Sequence, residues 1–319
     1  MRKQIMISLR KLAICTAVLL VCASCGKSPE IVDTDLDSGT FFDQSVYTPE
    51  KYLVSVAKPN PTAEEAKRPV LIAIHGYGAS TFEWDELRSW AGGRTDFSIS
   101  QVLLGGHGRD YQTFKNSSWR DWRKPIIEEF EALERQGYTN ISFAGSSTGC
   151  TLILEMLASG YFNPHIKPKQ VFLVDPIIVP GDKSLSMVGA LGPIIGYTTV
   201  ENTKAEEKYY YHYRPYETLK ELRNVINVVR KKLEDGFQLP VGCNLTLFKS
   251  DKDDVADPVS AVMIYKGLTT NSGGNIDVTM VRSDLHVYTR LEGRDINIST
   301  KDRENQIATF TSIANRVIK

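Results

Sequence analysis

The chain runs to 319 residues, 42% of them hydrophobic and 24% charged, enough to bury one large core. Lysine plus arginine equals aspartate plus glutamate at 38 each, so the formal net charge is zero. That balance argues against a nucleic-acid partner and against an acidic disordered tail.

The N-terminus stands apart from the rest. Arg2, Lys3, Arg10 and Lys11 flank or precede an apolar run from Leu12 to Val21, which leads into Cys22-Ala23-Ser24-Cys25. A basic start, a short apolar stretch and small residues before a cut site describe an export signal. The run falls short of the roughly 20 apolar residues that a membrane-spanning helix needs. Small residues directly before a cysteine resemble a bacterial lipobox, with Cys22 standing where that motif prefers Leu or Val. The resemblance implies a signal peptide over residues 1–24 and a lipid-modified Cys25 holding the protein to the membrane of the cell envelope. Gly26 rather than Asp after the cysteine favours the outer membrane. Acyl chains at ~0.8 kcal/mol per buried CH₂ anchor a soluble domain firmly when several share one cysteine. The cysteines left after cleavage are too few for a disulfide framework, though Cys150 and Cys243 allow one bridge.

Residues 25–50 are rich in Ser, Asp, Thr and Gly and read as a tether. From residue 51 to 319 strand-like and helix-like stretches alternate, which predicts a doubly wound, mostly parallel α/β sheet. Tyr52 to Ala57 reads as an edge strand, and Pro69 to Ile74 (PVLIAI) as a strand buried on both faces. Phe97 to Leu104, Asn140 to Ala144, Lys169 to Val174, Leu245 to Lys249 and Asp277 to Val281 continue the series. Trp122, Ile126, Phe130 and Leu133 recur at helical spacing within Trp119 to Arg135. Further helices are expected over Thr151 to Ser159, Pro258 to Leu268 and Arg303 to Ile318. The stretch from about Pro180 to Leu239 breaks the rhythm. It holds Gly189, Gly192, Pro193 and Gly196, then Tyr209, Tyr210, Tyr211 and Tyr213, then a helix with Leu219, Leu222, Val225, Ile226, Val229 and Leu233 on one face. An insertion of this length predicts a helical cap over the strand ends, its tyrosines mainly packing residues.

Gly145-Ser146-Ser147-Thr148-Gly149 has the spacing Gly-x-Ser-x-Gly between an expected strand and an expected helix. In that context the turn is tight enough to exclude side chains two positions either side of the serine, and it lifts the hydroxyl above the sheet. A serine hydroxyl needs an adjacent base. Of five histidines, His286 lies just past the last expected strand, where loops at the carboxyl ends of parallel strands converge. His75 and His107 sit in glycine-rich loops and read as loop-shaping, and His165 and His212 as surface residues. The base in turn needs an acid. Asp257 reads as the cap of the helix opening at Pro258. That leaves Asp251, Asp253 and Asp254, with Asp175 competing from the end of a neighbouring strand. A tetrahedral oxyanion requires fixed N–H donors, and Thr148 N–H and Tyr77 N–H, the latter in His75-Gly76-Tyr77-Gly78, are the candidates.

Together with Gly106-His107-Gly108, the loop from Ser250 to Pro258 and Ser283-Asp284-Leu285-His286-Val287, these motifs resemble the capped carboxylesterase and monoacylglycerol-lipase branch of the α/β-hydrolases, sometimes grouped with serine aminopeptidases. The resemblance runs from about residue 51 to the end. It implies an α/β-hydrolase fold, a Ser147–His286–Asp253 triad and an ester substrate, either a small molecule or an acylated saccharide or lipid, with no metal or cofactor. Asp253 is favoured over its neighbours because Ser250, Asp253 and Pro258 fall in the family's register. Cys150 stands where many relatives have a further glycine, and the cap carries no family motif. A peptidase or amidase using the same triad, and a ligand-binding lipoprotein without catalysis, are the rival readings.

Overall fold

The computed structural model describes residues 60–181, 196–294 and 296–319. The expected signal peptide, Cys25, the tether, the Tyr52 to Ala57 strand and Gly189, Gly192 and Pro193 lie outside them. A six-stranded parallel sheet forms the centre. Its strands are β1 (Val70–Ile74), β2 (Ser98–Val102), β3 (Ile141–Ser146), β4 (Gln170–Val174), β5 (Asn244–Ser250) and β6 (Asp277–Val281). They lie in the order β6-β5-β4-β3-β1-β2.

The apolar run of β1 shows why both faces need cover. Val70, Ile72 and Ile74 point into one hydrophobic cluster while Leu71 and Ala73 point into another on the opposite face. The first cluster is closed by α1 (Trp119–Arg135), α2 (Thr148–Ala158), α3 (Tyr216–Asp235) and α4 (Val259–Gly267). The second is closed chiefly by α5 (Thr300–Val317), through Phe310, Ile313, Ala314 and Val317. Reciprocal caps begin two of the long helices: Ser118 with Asp121 for α1 and Ser299 with Asp302 for α5. Asp257 Oδ1 accepts the Val259 N–H at 2.8 Å, the capping role read from its place before Pro258.

Three differences from the sequence expectations have physical reasons. Helix α2 starts at Thr148 rather than Thr151, because the turn leaves no gap between serine and helix. Gly149 in the first turn hid that start. Helix α3 packs against α1, α2 and α4 instead of over the strand ends, and its apolar face joins the main core. What stands at the strand ends among the described residues is a short antiparallel ribbon, Tyr197–Thr199 with Tyr213–Pro215. Cys150 and Cys243 are both free and buried, so the bridge does not form.

Short helices over Asp85–Ala91 and Tyr111–Lys115 had no strong periodic signal. His165 and His212 are half-buried rather than on the surface. His165 stacks on Tyr161 and pairs with Glu134 at 2.6 Å.

Candidate active site

All six strands are parallel, so the loops after β1, β3, β5 and β6 emerge on one rim. The chain reverses its order across the sheet between β1 and β3, and that switch point is where an open α/β sheet opens a crevice. A cavity of about 420 Å³ occupies it, and Gly76, Tyr77, Ser147, Thr148 and His286 all line it.

Ser147 sits between β3 and α2 with φ 48° and ψ −113°, in a region that L residues rarely adopt. The flanking glycines are sterically required. A Cβ on Gly149 would lie 2.5 Å from Ile74 O, and one on Gly145 would lie 2.7 Å from Cys150 N. Behind the turn, Cys150 Sγ donates to Gly145 O at 3.0 Å, using the space that a glycine would leave empty.

His286 Nδ1 lies 2.8 Å from Asp253 Oδ2. A carboxylate only accepts, so Nδ1 carries the proton and the neutral ring keeps Nε2 as its basic nitrogen. Asp253 Oδ1 accepts the N–H groups of Val255 and Ala256 at 2.9 and 3.0 Å. Burial alone would raise the Asp253 pKa. The His286 hydrogen bond and charge, Lys249 and the Ala256 N–H together outweigh burial and hold it at about 2. Of the competing acids, Asp254 is exposed and Asp251, also exposed, accepts the Ser283 N–H at 3.1 Å. Asp175 is buried, but its oxygens are taken by Ser250 N at 2.7 Å, Ser250 Oγ at 3.2 Å and Tyr288 N at 3.3 Å.

Lys249 was not singled out by the sequence. Its ammonium is fully buried, 2.5 Å from Asp253 and 3.2 Å from Asp175. The signal available was a lysine closing an otherwise apolar strand four residues before an aspartate, since lysine is rarely buried unless paired. Ligand atoms of Asp175, Asp253 and His286 lie within 4.8 Å of one another, the spacing of a metal site. The Lys249 ammonium bonds both carboxylates and supplies the positive charge there, so the group does not fit a metal ion.

Tyr77 and Thr148 flank Ser147 from either side of the switch point. Neither backbone N–H is bonded to a described acceptor, whereas the Gly76 N–H donates to Glu83 Oε2 at 2.8 Å. The same carboxylate accepts from Ser146 Oγ at 2.5 Å and so ties the two loops together. Glu83 was also missed, because its role depends on a contact made 63 positions along the chain. His75 Nδ1 donates to Gly76 O at 2.8 Å and Nε2 accepts from Leu104 N at 3.0 Å, the loop-shaping role expected. Burial lowers its pKa to about 4 against the raising effects of Glu83 and the Gly76 carbonyl. His107, likewise buried and kept neutral, packs against Phe114 and Trp122.

Tyr209 stacks on Phe82, and Tyr211 stacks on Phe114, each at 4.0 Å. Tyr210 instead lines the cavity, as do Glu206, Arg214, Arg290 and Arg294. The wall facing the serine is therefore rich in charge as well as apolar surface.

No protein-family model matches the sequence. The chain is 23% identical over 219 residues to a thermostable monoacylglycerol lipase of Bacillus sp. (strain H-257), covering 69% of this chain and 83% of that one. Among solved structures it resembles one described with the metagenome-derived lipolytic enzymes LipS and LipT, with TM-score 0.61, 18% identity and coverage of 78% and 94%. It also resembles a soluble variant of monoglyceride lipase from Saccharomyces cerevisiae in complex with a substrate analog, with TM-score 0.60, 11% identity and coverage of 81% and 89%. The fold is that of the α/β-hydrolases. Within that fold the chain is similar to the monoacylglycerol-lipase branch.

Proposed function

We propose that this protein is a serine hydrolase that cleaves a carboxylic ester through an acyl-enzyme on Ser147. The observation that carries the reading is the shared cavity, where Ser147, held at positive φ on its turn, and His286, held by Asp253, both stand. The lipase and lipolytic relatives support ester chemistry.

In this mechanism His286 Nε2 takes the Ser147 proton as Oγ attacks the ester carbonyl, and the resulting oxyanion is held by the Tyr77 and Thr148 N–H groups. Collapse breaks the bond to the alcohol, which leaves with the proton from His286. Water, activated by the same nitrogen, then attacks the acyl-enzyme and frees the acid and Ser147. Asp253 keeps the imidazole in the required tautomer and stabilises the imidazolium. A fluorophosphonate probe labels Ser147 in the wild type, and labelling that persists in Ser147→Ala would remove Ser147 from this role.

The lipobox-like segment supports a further proposal, that lipid on Cys25 anchors the enzyme in a bacterial envelope. Mass spectrometry of the mature N-terminus is expected to find Cys25 acylated, and an unmodified residue there would refute the anchor.

A further inference from the structure

Three arginines line the cavity beside the reacting groups, and two of them are committed. Arg290 pairs with Glu206 at 2.7 Å. Arg294 donates to the carbonyls of Arg290, His286 and Val287 at 2.7, 2.5 and 3.2 Å. Arg214 differs. Its side chain makes no hydrogen bond or salt bridge to a described residue, and its Nε is sealed from solvent without a partner. Its guanidinium lies 5.5 Å from the Tyr77 ring centroid, and a Cβ on Gly78 would come within 3.5 Å of Nε. The side chain thus stands against the loop that carries the Tyr77 N–H.

The planar guanidinium fork matches a carboxylate, and its Nε–H, shielded from water with no acceptor, is a costly donor to leave unpaired. Glu83 is near enough to act on Arg214 through charge, yet its oxygens are engaged by Gly76, Ser146 and Tyr210. Among the described residues the acids that line the cavity are Glu83, Glu201 and Glu206, and of these only Glu206 forms an ion pair with one of its arginines.

We propose that Arg214 binds a carboxylate carried by the substrate, so that the preferred ester is a monoanion rather than a neutral lipid. The inference rests on the serine-hydrolase reading and narrows its substrate. One uncommitted cation matches one negative charge. A phosphate dianion would bring a second charge toward Glu83 and Glu206 with no further free arginine among the described residues to meet it. The carboxylate belongs to the acyl or to the alcohol portion, and the two cases separate by experiment.

Two matched pairs test this. Monomethyl adipate against methyl heptanoate places the charge on the acyl side, and 5-acetoxypentanoate against hexyl acetate places it on the alcohol side. In the wild type kcat/KM favours the anionic member of one pair. In Arg214→Gln that ratio falls about 10–100-fold, the worth of a charge-assisted hydrogen bond, and Arg214→Lys recovers part of it. If Arg214 only offsets Glu83, Arg214→Gln slows both members alike and the ratio stays within about two-fold, which overturns the proposal. A wild type that prefers neither anion overturns it as well.

Binding without turnover keeps this result separate from the fate of Ser147. Monomethyl adipate and 5-acetoxypentanoate are titrated against Ser147→Ala protein by thermal shift. Stabilisation by one of them that disappears on adding Arg214→Gln and returns in part with Arg214→Lys supports the proposal even if fluorophosphonate labelling fails. Absence of stabilisation by both overturns it even in an active enzyme.

Discussion

The two walls of the cavity treat a positive charge in opposite ways. Behind His286, Lys249 is fully enclosed and bonded to both Asp175 and Asp253. Across from it, Arg214 leans on the Tyr77 loop with no described hydrogen-bonding partner. The first wall is electrostatically complete, which suits a group that must hold one imidazole in one orientation. The second is incomplete, which suits recognition. A saturated charge supports the site and an unsaturated one selects what enters it.

The largest effect comes from breaking the complete wall at its acid. Asp253→Asn presents an amide where His286 needs an acceptor, favours the wrong tautomer, and is expected to lower kcat about 10⁴-fold. Asp254→Asn, one position along and exposed, is expected to change kcat by less than about two-fold. Equal losses in the two variants would contradict the assignment.

Lys249→Met tests the same wall through stability. It leaves Asp175 and Asp253 as neighbouring buried carboxylates without their cation, and the loss is expected to be about 3–5 kcal/mol by urea unfolding. An unchanged midpoint would show that the ammonium is dispensable.

Acid sharpens the contrast further, because the walls fail at different pH. The fold holds His75, at the base of the Tyr77 loop, at a pKa of about 4 against an ordinary 6.5. As pH falls the unfolded chain takes up that proton first, so a contribution of about 3 kcal/mol is present above 6.5 and lost between 6.5 and about 4. Asp253, depressed to about 2 from 3.8, keeps its contribution until the pH falls below 3.8 and loses it toward about 2. Unfolding free energies measured from pH 7 to 4 are expected to decline in the wild type. A flat profile over that interval would contradict the neutral, buried state of His75.

What the sequence disclosed follows the same division. Gly145, Ser147, Gly149 and His286 were legible because their constraints are local: a tight turn between strand and helix, and a position just past a strand end. Asp253 could be narrowed to its loop on position and to one residue only by family register. The strand series was legible because β1 and residues 171–174 of β4 are continuous apolar runs, the signature of burial on two faces.

Lys249, Glu83 and Arg214 were not legible. Each draws its role from partners, or from the lack of them, fixed only when distant segments meet. Glu83 reaches Ser146 across the switch point, and Arg214 reaches the Tyr77 loop from the ribbon. Helix α3 was misplaced for a related reason: an amphipathic pattern declares that one face is buried but not against what.

The ribbon is fastened where it meets the site. The Tyr211 N–H donates to Gly78 O at 2.8 Å, Tyr211 Oη donates to Arg109 O at 2.6 Å, and Tyr77 Oη lies 2.7 Å from Thr218 Oγ1. A chimera that grafts residues 196–215 from a relative would therefore sever attachments on the very loop that carries the Tyr77 N–H. Altering selectivity by segment exchange demands that residues 76–78, 109 and 218 travel with the graft as one inherited block.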